Sequence, residues 1–158
     1  MTTQLTNSRV SAAQPGDKKL SEYRQEPEKI ILKKQPEKIT IASSRDAYEI
    51  IKQYARKDQE HFIVLLLTGR NELISWKPVF IGTLEASLFH PREIYRYALQ
   101  HRSSKIIVAH NHPSGNLEPS ENDKLMTRQV KEAGEIIGIK MVDSLIISGE
   151  GYYSIMNL

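Results

Sequence analysis

Two histidines separated by one residue, His110 and His112, are followed at a short interval by Ser120 and Asp123. Two neutral imidazoles and one carboxylate are a ligand set that suits Zn²⁺, and three protein ligands leave the fourth tetrahedral position open for water. An open position is typical of catalytic zinc, whereas structural zinc is closed by a fourth protein ligand. Each residue taken alone could instead be solvated or cap a helix, but together they predict a catalytic metal site.

The residues before the histidines explain how both imidazoles reach one ion. The apolar run 105–109 predicts a buried strand that leads directly into His110. Side chains alternate between the faces of a strand, so His110 and His112 project to the same side and Asn111 projects to the other. The end of a buried strand is also where ligand clefts usually form in a sheet of this kind.

The third ligand is predicted to lie on the helix that follows. Residues 113–119 have the composition of a loop, and Ser120 is a good helix N-cap. Asp123 then lies in the first helical turn, from which its carboxylate can turn toward the histidines. An apolar stripe continues the helix, and Gly138 is expected to end it. That stripe consists of Met126, Val130, Ala133 and Ile137.

The other elements alternate between strands and helices, which predicts an α/β fold with one mixed sheet flanked by helices. Residues 39–41 read as a strand or an extended lead-in, and Ser43 with Asp46 has capping-box spacing at the start of a helix whose apolar face runs from Ala47 to Ala55. Strands are expected at 61–67, at 73–82 and, as the final strand, at 141–148, and a further helix at Pro91. Pro78 is expected at a sheet edge or a bulge, because proline cannot donate to a ladder.

Charge and composition divide the chain into a tail and a domain. Residues 1–38 lack a sustained apolar face and carry the whole net charge of +3, since the remaining residues hold equal numbers of acidic and basic side chains. We therefore expect a flexible basic tail over 1–38 and one folded domain over 39–158. The tail could make weak contact with nucleic acid, although a solubilising leader of interleaved Lys and Glu fits it equally.

The chain has no cysteine, which excludes disulfides and cysteine-based metal sites. No apolar stretch approaches the roughly 20 residues that span a bilayer, and the N-terminus does not resemble a signal peptide. The expected location is therefore the cytoplasm, without a membrane partner.

The spacing His110-x-His112, then Ser120-x-x-Asp123, resembles the metal motif of the JAMM (JAB/MPN) metalloproteases. The longer string HNHPSGNLEPSENDKLMTRQV closely resembles the bacterial RadC branch of that family. The similarity extends over roughly residues 40–158 and includes Gly82-Thr83-Leu84, 90–94, Ala133-Gly134, Gly138-Ile139 and the strand around Asp143.

This resemblance implies a sandwich related to the cytidine deaminase fold, with zinc held by positions matching His110, His112 and Asp123. It also implies a glutamate that holds the attacking water just ahead of an early core strand. Glu60 matches that position, and Glu72 and Glu85 are less well placed substitutes.

The implied activity is hydrolysis of a peptide or isopeptide bond in a peptide or protein substrate, through a zinc-activated water. Glu60 would be the general base, and Ser120 would donate a hydrogen bond to the oxyanion. Two features depart from the family. Longer members commonly carry a helix-hairpin-helix DNA-binding region, for which residues 1–40 are too short and too polar. Members also often have Asp-His where this chain has Asp143-Ser144.

Two other functions are considered. The first is a non-catalytic DNA- or protein-binding accessory module linked to DNA repair, in which zinc only stabilises the fold. The second is an enzyme acting on nucleic acid, such as a nuclease or a deaminase. The second is disfavoured because the paired cysteines of zinc deaminases are missing and the predicted domain has no net positive charge.

Overall fold

The computed structural model describes residues 37–82 and 90–158. Almost all of the predicted basic tail, residues 1–36, lies outside the described residues, and so does the segment 83–89 that contains Glu85. The described elements are α1 (Ser44–Ile51), a 3-10 turn (Lys52–Tyr54), β1 (His61–Leu67), β2 (Leu73–Ile81), α2 (Pro91–Gln100), β3 (Lys105–Asn111), α3 (Glu121–Ile137), β4 (Lys140–Ser148) and β5 (Gly151–Ser154).

Within the described residues the five strands form one mixed sheet in the order β2-β1-β3-β4-β5. β1 pairs antiparallel with both β2 and β3, β3 pairs parallel with β4, and β4 pairs antiparallel with β5. The parallel pair requires a crossover, and α3 provides it. This arrangement confirms the predicted α/β class with a single mixed sheet and agrees with the JAB/MPN fold.

The side chains of β1 divide the core into two layers, because alternate residues face opposite sides of the sheet. One set packs against α2 and α3, and the other set packs against α1. The first set is Phe62, Val64 and Leu66, and the second is Ile63, Leu65 and Leu67. Residues of β3 follow the same rule, with Ile106 and Val108 facing α3 and Ile107 and Ala109 facing α1. Alternation therefore decides, for each residue of β3, whether its side chain faces α3 or α1.

Pro78 lies where the sequence predicts it. β2 is an edge strand, and its register against β1 shifts between the pairs Phe62–Phe80 and Ile63–Pro78, which leaves Val79 as the extra residue of a bulge. A proline is tolerated there because an edge strand has a neighbouring strand on one side only, so the N–H that proline lacks is not needed on the open side.

The predicted capping box of α1 is present, and the predicted N-cap of α3, Ser120, is part of a second capping box. In α1, the Ser43 hydroxyl accepts from the Asp46 N–H, and the Asp46 carboxylate accepts from the Ser43 N–H at 2.9 Å. In α3, Ser120 and Asp123 make the equivalent pair. Gly138 ends α3 in the left-handed conformation at φ 80°, which a residue without a Cβ adopts at little cost.

Three local expectations were incomplete or wrong. The strand 141–148 is not the last, because β5 follows it after a tight turn. The apolar face of α1 continues through a 3-10 turn and not a full α-helix. Ile137 does not complete the buried stripe of α3, since it is 42% exposed, and Thr127 and Gly134 are buried instead. None of the helices in the described ranges has the length and apolar character needed to cross a bilayer.

A buried carboxylate, Asp143, connects elements that are distant in sequence. It accepts hydrogen bonds from the Ser44 hydroxyl of α1 at 2.7 Å and from the Ser154 hydroxyl of β5 at 2.7 and 2.9 Å. Its Oδ1 also accepts from the Ser144 N–H at 2.7 Å. Burial of a carboxylate is unfavourable unless its oxygens are satisfied, and here several donors satisfy them. Asp143 therefore holds α1 and β5 on β4.

We expect Asp143→Ala to lower the free energy of unfolding by about 3 kcal/mol or more, because it leaves several donors without their acceptor. Ser154→Ala is the matched control. It removes one donor to the carboxylate, together with the acceptor of the exposed Asn157 N–H, and should cost about 1.5 kcal/mol. Urea denaturation of both variants measures the difference. A loss for Asp143→Ala no larger than that for Ser154→Ala would show that the carboxylate does not join these elements.

Candidate metal centre

His110 and His112 project from the end of β3 toward α3. The His112 N–H donates to the Ile147 carbonyl of β4 at 3.2 Å, so the extended backbone continues one residue beyond Asn111, the last residue of β3. The alternation of side chains therefore holds through His112. The Nε2 atoms of the two imidazoles lie 3.0 Å apart, and His110 stacks on Phe62 of the neighbouring strand.

Asp123 reaches the same point from the first turn of α3. Its Oδ2 accepts from the Ser120 N–H and from the Ser120 hydroxyl, each at 2.7 Å, and the Ser120 hydroxyl accepts from the Asp123 N–H at 3.1 Å. Asp123 Oδ1 lies 3.0 Å from His110 Nε2, and Asp123 Oδ2 lies 3.4 Å from His112 Nε2. The capping box that begins the helix thus also orients the carboxylate.

The loop after β3 fixes the orientation of the second imidazole. His112 Nδ1 lies 2.7 Å from the Asn116 carbonyl, which can only accept, so Nδ1 carries the proton. In the neutral ring Nε2 then carries a lone pair and faces His110 and Asp123. A hydrogen bond from the remote ring nitrogen to a carbonyl is the usual support of a metal-binding histidine.

The three side chains fit a divalent metal ion. Metal–ligand distances of about 2.0–2.1 Å at tetrahedral angles place two ligand atoms about 3.3 Å apart. His110 Nε2 lies 3.0 Å from His112 Nε2 and 3.0 Å from Asp123 Oδ1, close to that value, and the other carboxylate oxygen, Asp123 Oδ2, lies 3.4 Å from His112 Nε2. All three ligand atoms lie within 4.8 Å of one another. His110, His112 and Asp123 are therefore a group that could hold a metal ion.

Electrostatics keep the carboxylate of this group ionised. Burial acts to raise the pKa of Asp123, since only 6% of its side chain is exposed. Hydrogen bonds from the two imidazoles and from Ser120 outweigh burial and hold that pKa well below its usual range. The hydrogen bond to Asp123 raises the pKa of His112 against the opposing effect of burial, and the nearby charge of Glu60 contributes in the same direction.

The group opens into a cleft of about 340 Å³ that brings several predicted residues together. Its lining includes Glu60, His112, Ser120 and Asp123, with Met126 on the apolar side. A larger apolar groove of about 560 Å³ lies between α2 and α3, but its lining includes none of His110, His112 and Asp123. The smaller, polar cleft, which adjoins the group that could hold a metal ion, is therefore the candidate functional site.

Of the two substitutes for Glu60, only Glu72 lies within the described residues, and it lies away from the cleft. Glu72 precedes β2 at the opposite end of the sheet, where its carboxylate pairs with Lys38 Nζ at 3.0 Å. Glu85 lies outside the described residues. Ser144, at the position where the resemblance implies histidine, makes a buried 2.9 Å hydrogen bond with Thr127 of α3.

Two asparagines support the site without having been predicted to do so. Asn116 supplies the carbonyl that orients His112, and no sequence signal distinguishes it from its loop neighbours. Asn111 is fully buried on the other face of the sheet, where it bonds the segment that carries Glu60. The sequence places Asn111 on that face, and a buried amide there indicates a bonding role.

We expect affinity for Zn²⁺ to fall as the pH is lowered. The pKa of His112 lies above its ordinary value of 6.5, whereas the pKa of Asp123 lies below its ordinary value. Of these two side chains, His112 therefore gains a proton in the neutral range and Asp123 does not. A metal requires the unprotonated Nε2 and must displace that proton. Affinity should be highest above the raised pKa of His112 and decline below it, by about tenfold per pH unit for one displaced proton.

Competition with a chromophoric chelator at about pH 8 and about pH 6 measures this change. The variant His112→Ala is the control, because it should bind zinc more weakly and with a shallower pH dependence. Equal affinity of the wild-type protein at both pH values would exclude His112 as a ligand.

The comparisons with known proteins agree with this geometry. Residues 41–158 match the family described as RadC-like JAB domain. A UPF0758 protein of Rubrobacter xylanophilus is 43% identical over 120 residues, which cover 75% of this chain and 52% of that protein. A UPF0758 protein of Streptococcus gordonii is 41% identical over 114 residues, or 72% of this chain and 50% of that protein. The chain therefore spans about half the length of these relatives, and it belongs to the RadC-like JAB domain family.

Proposed function

We propose that this chain is a zinc-dependent hydrolase of the JAMM type that cleaves a peptide or isopeptide bond. The observation that carries the proposal is the convergence of His110, His112 and Asp123 beside a cleft that His112, Asp123 and Glu60 line. Three protein ligands leave room for a water and a substrate oxygen, which a closed structural site would not. The choice of bond follows from the membership of the JAB family, because an open zinc site also suits other acyl groups.

The ligand set favours zinc over the hard cations. Imidazole nitrogen is a preferred ligand of Zn²⁺, whereas Mg²⁺ and Ca²⁺ are bound almost wholly by oxygen. When bound, the ion would polarise the scissile carbonyl and make water acidic enough to attack at neutral pH.

Glu60 would act as general base and then as general acid. Its carboxylate lines the cleft next to His112, within electrostatic reach of that ring. It would accept a proton from the attacking water and give it to the leaving amine, which has to be protonated to depart. The backbone before β1 holds Glu60 in place, since its carbonyl accepts from the Gly82 N–H at 2.9 Å.

Ser120 would donate a hydrogen bond to the oxygen that becomes negative during attack. Its hydroxyl lines the cleft, and its proton is directed at Asp123 Oδ2 at 2.7 Å. That oxygen keeps a second donor, the Ser120 N–H, when the hydroxyl turns away. The hydroxyl can therefore serve the substrate without leaving Asp123 Oδ2 unsatisfied.

A peptide or protein is the proposed substrate. The cleft of about 340 Å³ is open to solvent and has both polar and apolar lining, which suits a short length of extended chain. Weak contact with nucleic acid through the basic tail remains a separate proposal, because residues 1–36 lie outside the described structure.

We expect Glu60→Gln to keep one equivalent of zinc and to lower turnover by about 10²–10⁴-fold, because it removes the proton acceptor but none of the ligands. Elemental analysis measures the metal, and mass spectrometry of a peptide library incubated with the protein measures turnover. Glu72→Gln is the matched control at the other end of the sheet and should change neither quantity. Cleavage by Glu60→Gln at the wild-type rate would assign the base to another residue.

We expect Ser120→Ala to lower kcat by about 10²–10³-fold, the cost of removing one oxyanion donor. It also removes a helix cap, which costs about 1 kcal/mol of stability. Ser43→Ala removes the corresponding cap of α1, far along the chain from the ligands, and controls for that loss. If kcat falls equally in both variants, Ser120 has no role in the reaction. If zinc affinity falls instead of kcat in Ser120→Ala, the hydroxyl supports Asp123.

A further inference from the structure

Asn111 lies between the two histidines and faces away from them. It is fully buried, and it shares its face of β3 with Ala109, which packs on the side of α1. His110 shares the opposite face with Val108, which packs on the side of α3. The amide of Asn111 is therefore separated from the ligand group by the sheet itself.

Every hydrogen bond of the Asn111 side chain goes to one short segment. Its Oδ1 accepts from the His61 N–H at 2.7 Å. Its Nδ2 donates to the Gln59 carbonyl at 3.1 Å and to the Lys57 carbonyl at 3.2 Å. Both protons of the amide and one lone pair of its oxygen are thus used by the backbone of residues 57–61.

The residue enclosed by these bonds is Glu60. Gln59 and His61, its two chain neighbours, are each bonded to Asn111, so the peptide units on both sides of Glu60 are fixed relative to β3. Glu60 precedes Phe62 by two residues, and Phe62 pairs directly with His110 across the sheet. Glu60 is thereby directed to the face that carries the ligands, and its side chain lines their cleft.

Asparagine suits this position better than its closest analogues. Only a side-chain amide offers two donated protons and an acceptor oxygen within the length of an aspartate side chain. Aspartate would accept from the His61 N–H but would turn its other oxygen, also an acceptor, toward the carbonyls of residues 57 and 59. Alanine would remove all three bonds from a buried position, where unpaired polar groups are costly.

We propose that Asn111 is a positioning residue, which fixes Glu60 relative to the metal ligands by holding the backbone on both sides of it. The expected effect of Asn111 on turnover rests on the proposed function. Its effect on the position of Glu60 rests on the hydrogen bonds of the structure alone. The three residues 110–112 then serve both halves of the site. His110 and His112 bind the ion on one face of the sheet, while Asn111 sets the place of the carboxylate from the other face.

The test uses the whole 158-residue chain loaded with Co²⁺, a paramagnetic substitute for Zn²⁺. The effect of Co²⁺ on NMR shifts depends on the position of each nucleus relative to the ion. Asn111→Ala is compared with the wild-type protein, and Ser103→Ala is the matched control. Ser103 is a buried residue near the other end of β3 whose hydroxyl bonds the Leu67 and Lys105 carbonyls. The variant Ser103→Ala therefore also loses buried hydrogen bonds, but at a position far from the cleft.

In Asn111→Ala we expect the Co²⁺-induced shifts of the amides of residues 57–61 to change while those of α3 stay as in the wild type. Ser103→Ala should leave both sets unchanged. Unchanged shifts at 57–61 in Asn111→Ala would overturn the proposal. If that variant does not fold, Asn111→Asp, which keeps the bond from the His61 N–H and loses the two bonds to the carbonyls of residues 57 and 59, is compared with the wild type in the same way. In the wild-type protein the His61 amide should exchange slowly with solvent, and rapid exchange would also overturn the proposal.

Turnover provides a second readout. Asn111→Ala should lower kcat about a hundredfold, the effect of a displacement of about 1 Å at a reacting group. In the Glu60→Gln background the same substitution should have no further effect, because its whole action passes through Glu60. Losses that multiply in the double variant would make Asn111 a general structural residue. If the wild-type protein cleaves no peptide, the proposed hydrolase function fails, and the Co²⁺ shifts still decide whether Asn111 positions Glu60.

Discussion

The alternation of side chains at the end of β3 is the constraint on which the whole site depends. β3 is bonded on both sides, to β1 and to β4, so its last residues cannot rotate. His110 and His112 must face α3, and Asn111 must face α1. A shift of register by one residue would exchange these faces and bury both imidazoles under α1. The central position of β3 in the sheet makes such a shift costly, because the apolar side chains of the strand would exchange faces as well.

The start of α3 contributes the third ligand at little additional cost. The capping box has to form in any case, since the first N–H groups of a helix lack partners within it. Once it has formed, Asp123 has little freedom left, and its carboxylate is held in place before any ion arrives. Hydrogen bonds from the two imidazoles, with that from the Ser120 hydroxyl, outweigh burial and lower the pKa of Asp123, so that carboxylate is already ionised. A metal ion therefore meets a preorganised oxygen and displaces no proton from it.

Features set by neighbouring residues could be predicted from the sequence, and features set by distant residues could not. The two capping boxes, the bulge at Pro78 and the end of α3 at Gly138 follow from local conformational preferences. The bonds from Asn111 to residues 57–61 join segments about fifty residues apart, and those of Asp143 join positions 44 and 154. No local pattern encodes such contacts. β5 was missed because four residues are too few to show a period.

The replacement of an implied histidine by Ser144 changes how α3 is held without removing a ligand. Ser144 of β4 pairs with Val108 of β3, which lies two residues before His110 on the same face of the sheet. Ser144 therefore lies on that face as well. Its hydroxyl bonds Thr127, which lies one helical turn after Asp123 on the same side of α3. Because residues four apart share a helix face, this bond fixes the rotation of α3 about its axis. The rotation that satisfies Thr127 is the one that turns Asp123 toward the imidazoles, so a pair of buried hydroxyls in this chain helps to align the carboxylate.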